Sequence, residues 1–185
     1  ADVRTSAANC GACGRACSPP RGTGACMAGR CQITACESGY ADCDMDAANG
    51  CEVSLQSDAN HCAGCGMRCN LPNATAACAM GNCQVAACGM GRGDCDMSAA
   101  NGCEVDVTSS AMNCGTCGTV CNLPNATPAC AMGRCAVASC NAGFADCDMN
   151  PANGCEVNLG TSTANCGMCG NACMFAGASA SCTMG

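Results

Sequence analysis

The residues with the most evident chemistry in this sequence are carboxylates at a fixed spacing. The stretch DCDMDAANGCEV runs from Asp42 to Val53 and returns as DCDMSAANGCEV from Asp94 and as DCDMNPANGCEV from Asp146. In an extended segment Asp42 and Asp44 project the same way, because side chains alternate with a period of two. Asp46, Ser98 or Asn150 offers a further oxygen two residues on, and a type I′ turn at Asn49-Gly50 would bring Glu52 back towards them. Three carboxylates with backbone carbonyls make the hard oxygen cage that Ca²⁺ takes. The candidate ligands are therefore Asp42, Asp44, Asp46 and Glu52 in the first copy, Asp94, Asp96 and Glu104 in the second, and Asp146, Asp148 and Glu156 in the third. The pattern departs from the EF-hand loop. Ala47, Ala99 and Pro151 stand where its sixth-position glycine belongs, and the glutamate comes one residue early. The competing reading, which the residue types favour, is turn architecture, with Asp and Asn side chains bonding the local backbone. Paired carboxylates also serve acid–base catalysis, but three like copies without a nucleophile point away from an enzyme.

Cysteine is the second chemical signal. Cys10, Cys62, Cys114 and Cys166 recur every 52 residues, and each full repeat follows C-x2-C-x3-C-x8-C-x4-C-x4-C-x6-C-x7-C. The first repeat contributes Cys10, Cys13, Cys17, Cys26, Cys31, Cys36, Cys43 and Cys51, and the second Cys62, Cys65, Cys69, Cys78, Cys83, Cys88, Cys95 and Cys103. The third contributes Cys114, Cys117, Cys121, Cys130, Cys135, Cys140, Cys147 and Cys155, and a partial fourth Cys166, Cys169, Cys173 and Cys182. Even counts fit structural disulfides, with every cysteine oxidised. Eight cysteines allow 105 connectivities, so the partners stay unassigned, although pairing inside C-x2-C is strained outside redox folds and Cys10 and Cys13 should differ in partner. Haem attachment would need histidine at positions 14, 66, 118 and 170, where glycine stands. Zinc and iron–sulfur sites fit poorly, since the C-x2-C-x3-C run misses ferredoxin spacing and the lone histidine, His61, does not repeat.

These residues must be positioned by an unusual scaffold. The chain has 185 residues, 28 of them cysteine, well above the roughly 8–10% that marks a disulfide framework. Tryptophan is absent, and Tyr40, Phe144 and Phe175 are the only aromatics, so apolar burial alone falls short of the entropy of ordering the chain. A net charge of −7 without a lysine argues against nucleic acid and anionic membrane surfaces as partners. No run of apolar residues has the length of a membrane span. The expected organisation is the tail of a preceding repeat at 1–4, repeats at 5–56, 57–108 and 109–160, and a partial repeat at 161–185, a window on a longer array.

Within a repeat, Ser or Thr at the start predicts a helix N-cap, and Cys10, Cys13 and Cys17 at i, i+3 and i+7 predict one or two helical turns. The alternation around Met80-Gly81-Asn82 predicts a β-hairpin, and the acidic stretch a second one about Asn49-Gly50. The expected fold is thus a small disulfide-rich module, a short helical turn plus β-hairpins with much loop, repeated in a linear array. The twelve methionines admit a Cu(I) reading, but gap-filling in a core short of aromatics is the simpler expectation. Asn73 and Asn125 begin N-x-T sequons in a predicted loop and are candidate glycosylation sites.

The motifs NCGxCGxxC, CxxGFADCD and NGCEV together resemble the cysteine-rich tandem repeats of large secreted or surface proteins of bacteria. The segment CESGYADC is also similar to the end of an EGF-like module. The first resemblance covers the whole chain and implies an extracellular or cell-surface location and a repeat architecture, without a settled activity. Those repeats more often carry glycine where this chain has Met45. The expected role is an extracellular structural protein that is not an enzyme, requires no cofactor and associates with copies of itself into a filament or surface layer. A Ca²⁺-dependent adhesive or ligand-binding surface protein is the alternative.

Overall fold

The computed structural model describes residues 2–184. Three longer antiparallel hairpins pair β1 (Gly22–Met27) with β2 (Arg30–Cys36), β5 (Ala74–Ala79) with β6 (Asn82–Cys88), and β9 (Ala126–Ala131) with β10 (Arg134–Cys140). Three two-residue pairings alternate with them: β3 (Tyr40–Ala41) with β4 (Val53–Ser54), β7 (Arg92–Gly93) with β8 (Val105–Asp106), and β11 (Phe144–Ala145) with β12 (Val157–Asn158). Small disulfide-rich hairpin modules, mostly loop and repeated in tandem, are therefore the fold class, as the sequence predicts. The chain divides into two compact units, one of Ala1–Ala87 with Ala99–Gly102 and the other of Cys88–Ser98 with Cys103–Gly185.

The longer hairpins turn where alternation places them. Their tips are Ala28-Gly29 (φ 53° and 80°), Met80-Gly81 (51° and 75°) and Met132-Gly133 (50° and 75°). Positive φ at both central residues is the type I′ turn, whose twist suits antiparallel strands. Register shifts between Thr23 and Gly24, and between Val137 and Ser139, mark a bulge in two of these hairpins. The acidic stretch turns differently from expectation. Among its Asn-Gly residues only Gly50 is left-handed (φ 77°), and the 42–52 segment is a wide loop between β3 and β4 rather than a tight hairpin turn. The N–H groups of Asn49 and Gly50 both donate to the Asp46 carbonyl, at 3.2 and 3.3 Å, closing one helix-like turn that glycine ends.

The predicted helical turns shrink to a single 3₁₀ turn at Ala7–Asn9, whose N-cap Ser6 makes no side-chain cap bond. Left-handed Gly11 and Gly14 stop it, and the Asn9 side-chain oxygen accepts from the Gly14 N–H at 2.8 Å. Asn113 and Asn165 make the same bond to Gly118 and Gly170, and His61 does so through Nδ1 to Gly66 at 3.2 Å. The lone histidine is thus a local loop acceptor in an asparagine's place. Without a helix, Cys10, Cys13 and Cys17 share no face: Cys10 and Cys17 are buried and Cys13 is exposed.

Disulfides replace a conventional core. In the first unit Cys10 bonds Cys26, Cys17 bonds Cys31, Cys36 bonds Cys51, Cys43 bonds Cys65, Cys62 bonds Cys78 and Cys69 bonds Cys83. In the second, Cys88 bonds Cys103, Cys95 bonds Cys117, Cys114 bonds Cys130, Cys121 bonds Cys135, Cys140 bonds Cys155, Cys147 bonds Cys169 and Cys166 bonds Cys182. Among the described residues the buried apolar side chains other than cysteine are Pro19, Val107 and Leu123, and Cys51, Cys103 and Cys155 are the most deeply buried. Bridges closing loops of 14 to 16 residues each stabilise by about 3 kcal/mol in the chain-entropy account, which suits a chain with so little else to bury.

Two expectations fail here. Cys13 and Cys173 are unpaired. Cys13 holds the place of Cys65, Cys117 and Cys169, whose partners stand 22 residues earlier, and Cys173 that of Cys17, Cys69 and Cys121, whose partners stand 14 residues later. Both of those places fall outside the sequence. Nor do the methionines fill gaps. All twelve are exposed, and the buried clusters consist of cystines packed against one another and against small residues.

Candidate functional site: the acidic loops

Each acidic loop is held at both flanks. The short β3–β4 ladder sets Ala41 opposite Val53, Cys36–Cys51 anchors one end, and Cys43–Cys65 anchors the other. Gly50 packs on Pro20 so tightly that a Cβ there would stand 2.6 Å from the proline nitrogen and nearer still to its carbonyl oxygen. That carbonyl accepts the Cys51 N–H at 2.9 Å, and Cys155 repeats the bond to Pro124 at 2.9 Å. The glycine of each NGC motif is therefore required by contact as well as by φ, since Gly102 and Gly154 meet Pro72 and Pro124 in the same way.

Inside this frame the carboxylates converge. Asp42, Asp44 and Glu52 each bring one oxygen within 4.8 Å of the others, as do Asp94, Asp96 and Glu104, and Asp146, Asp148 and Glu156. Oxygens this close fit around one Ca²⁺, whose ligands lie at about 2.3–2.6 Å. Asp46 lies outside the first triad and instead caps the Ala48 N–H at 2.9 Å, the place Asn150 takes for Ala152 at 3.1 Å.

Most of these oxygens also serve the backbone. Glu52, Glu104 and Glu156 each accept the N–H of the cysteine nine residues earlier, Cys43, Cys95 and Cys147, at 3.0 Å. Asp42 accepts from Met45 N–H at 2.7 Å, and Asp44 from Asp46 N–H at 2.9 Å. The Ser98 N–H is shared between Asp94 at 3.1 Å and Asp96 at 2.9 Å. Asp148 accepts from Asn150 N–H at 2.9 Å and from the Asn153 amide at 3.0 Å, as Asp44 does from Asn49 at 2.8 Å. The Asp46 N–H, followed by the Asn49 amide, holds the Asp44 carboxyl below its ordinary value of 3.8; the Asn150 N–H, followed by Asn153, does the same for Asp148. These donors favour the ionised form and offset the mutual repulsion of three clustered acids.

Two carboxylate oxygens are left over. Glu52 Oε2 and Asp146 Oδ1 are closed off from solvent and have no hydrogen-bond partner among the described residues. Buried acceptors without partners are uncommon, and a cation is one kind of group that would satisfy them.

The other candidate groups resolve differently. The sulfurs of Cys62, Cys69 and Cys83 cluster within 4.8 Å, as do those of Cys114, Cys121 and Cys135, but all six lie in disulfides and offer no thiolate to zinc. Asn73 and Asn125 are exposed at φ 53° and 51°, at the entry to β5 and β9, where Arg21 holds the same conformation (52°) in the first repeat. Asn125 Nδ2 donates to the Cys155 carbonyl at 3.2 Å, a local role for a residue that tolerates the left-handed region. Thirteen disulfides fit an oxidising, extracellular environment, and no helix among the described residues is long and apolar enough to cross a membrane. The cysteine-rich repeats and their hairpins thus stand on this chain's own sequence and geometry: none of the protein-family models, curated proteins or solved structures compared with the chain matches it.

Proposed function

We propose that the chain is an extracellular structural repeat protein that associates with copies of itself into a fibre or surface layer. The observation that carries this reading is the set of bridges Cys43–Cys65, Cys95–Cys117 and Cys147–Cys169, each joining the acidic loop of one repeat to the C-x2-C segment of the next. No other disulfide crosses those junctions. Tension along the chain then passes through a covalent shortcut at every repeat, and the 22 residues spanned by each bridge cannot be pulled out. A protein whose modules carry almost no apolar core beyond cystine is suited to holding its form under load rather than to shaping a reactive pocket. Like repeats also give each module the same surface, which favours regular self-association. Negative-stain microscopy of the concentrated native protein tests this: ordered fibres or sheets support it, and a monodisperse monomer at all concentrations contradicts it.

A second reading, a Ca²⁺-dependent adhesive or ligand-binding surface repeat, is favoured by the orphan oxygens of Glu52 and Asp146 within their triads. Here one Ca²⁺ per acidic loop would take up those oxygens and stiffen the loop against its Cys43-type anchor. Calorimetric titration with calcium chloride separates the readings, since a loop whose acids serve only the backbone gives no heat of binding.

A further inference from the structure

Neither packing nor backbone geometry accounts for the methionines. All twelve are exposed, from 56% at Met27 to full exposure at Met90. Six of them, Met45, Met80, Met97, Met132, Met149 and Met184, sit at φ between 50° and 64°. That left-handed conformation costs an L-residue roughly 1–2 kcal/mol, and glycine avoids the cost. Methionine therefore recurs at turn tips and loop crests where its backbone is poorly suited and its side chain lies in solvent.

An exposed thioether offers one ready reaction, acceptance of an oxygen atom. The rest of the chain is poor in competing targets. There is no tryptophan, one tyrosine, and all cysteines except Cys13 and Cys173 are already oxidised to cystine. We propose that the exposed methionines form an oxygen-accepting surface that consumes hydroperoxides while the disulfide core keeps its fold. In each event a methionine sulfur lone pair attacks one oxygen of ROOH, forming the S–O bond as the O–O bond breaks. The hydroperoxide proton passes to the departing RO⁻, which leaves as ROH, or as water from hydrogen peroxide. The thioether is oxidised by two electrons to the sulfoxide, and the peroxide is reduced by two. A sulfoxide in a core disrupts packing, but here each new polar S–O group lies in water. Methionine sulfoxide reductases, one for each epimer, would restore the surface.

The test is oxygen uptake by the native protein. Cys13 and Cys173 are first alkylated; hydrogen peroxide is then added and uptake followed by intact mass, beside the same chain in guanidinium with its disulfides intact. Twelve oxygens should be taken up, at a native rate within about twofold of the denatured one, because exposure already gives the oxidant access. Far-UV circular dichroism and the denaturation midpoint should be unchanged afterwards. Native uptake that is about tenfold slower, that stops short of all twelve sites, or that is accompanied by loss of structure would overturn the proposal.

Discussion

Gly50 lies against Pro20, with its φ of 77° and the Cys51 N–H bonded to the Pro20 carbonyl, so that the acidic loop and the entry to the first hairpin share one contact. Alanine at this position would have both a strained φ and a Cβ driven into proline. The expected cost is roughly 3 kcal/mol, the sum of a left-handed penalty and overpacking. Gly50→Ala should therefore speed hydrogen exchange at Cys51 N–H and lower the unfolding midpoint. Gly14→Ala, where a Cβ meets nothing within 4 Å, should be much milder.

The acidic loops make a separate prediction about charge. Asp44 and Asp148 have carboxyl groups held below the ordinary 3.8 by N–H donors and asparagine amides. A depressed folded pKa adds stability that is complete above the unfolded value and is lost as pH falls through the lower, folded value. The loops should thus be insensitive to pH above about 5 and loosen in acid below about 4. Carboxyl titration by NMR should place both inflections below 3.8, and an inflection at or above it would contradict the hydrogen-bond assignment.

Calcium removal separates the two roles of the same residues. Glu52→Gln keeps an oxygen for the Cys43 N–H, and Asp44→Asn keeps one for Asp46, so the double substitution should fold. If the loop holds Ca²⁺, the substitution abolishes the heat of binding at the first loop, and chelator raises hydrogen exchange across residues 42–52 of the unaltered chain. If the acids only shape turns, chelator changes nothing.

The hairpin tips invite a stabilising change. Met132 precedes Gly133 in a type I′ turn, with φ of 50° and 75°. Asparagine is preferred at that first position, and Met132→Asn should raise stability by about 0.5–1 kcal/mol, read as a higher unfolding midpoint. An unchanged or lower midpoint would mean that the methionine side chain has a structural contact after all.

The repeat, its hairpins and its reliance on disulfides were legible because they rest on spacing and alternation along the chain. Met80-Gly81 sits at the centre of an alternating run, and the turn forms there. What stayed hidden depends on contacts distant in sequence. Asn49-Gly50 has the composition of a hairpin turn, but packing on Pro20 and the bonds to Asp46 give it another shape. Cys26 and Cys31 face each other across the first hairpin, yet each bonds back to the preceding loop, and no spacing rule distinguishes those outcomes. The exposure of the methionines was likewise illegible, since composition tells that a core lacks aromatics but not that cystine makes up most of it. Alternation pointed to Asp42 and Asp44, whereas the approach of Glu52 and its bond to Cys43 N–H come from the wide loop rather than from a type I′ turn at Asn49-Gly50.

The most direct test concerns Cys43. It bonds Cys65 of the following repeat rather than Cys13 of its own, a pairing that the spacing equally allows. Only this bridge crosses the peptide bond between Ser57 and Asp58. Digestion with an aspartate-directed protease, without reductant and with free thiols blocked, cuts before Asp42, Asp44 and Asp58 and should leave the Asp42-Cys43 peptide joined to the fragment that begins at Asp58, with mass spectrometry locating the link at Cys43–Cys65. Reduction should release them. Fragments that separate before reduction, or a peptide linking Cys43 to Cys13, would contradict the covalent continuity on which this account of a structural repeat protein rests.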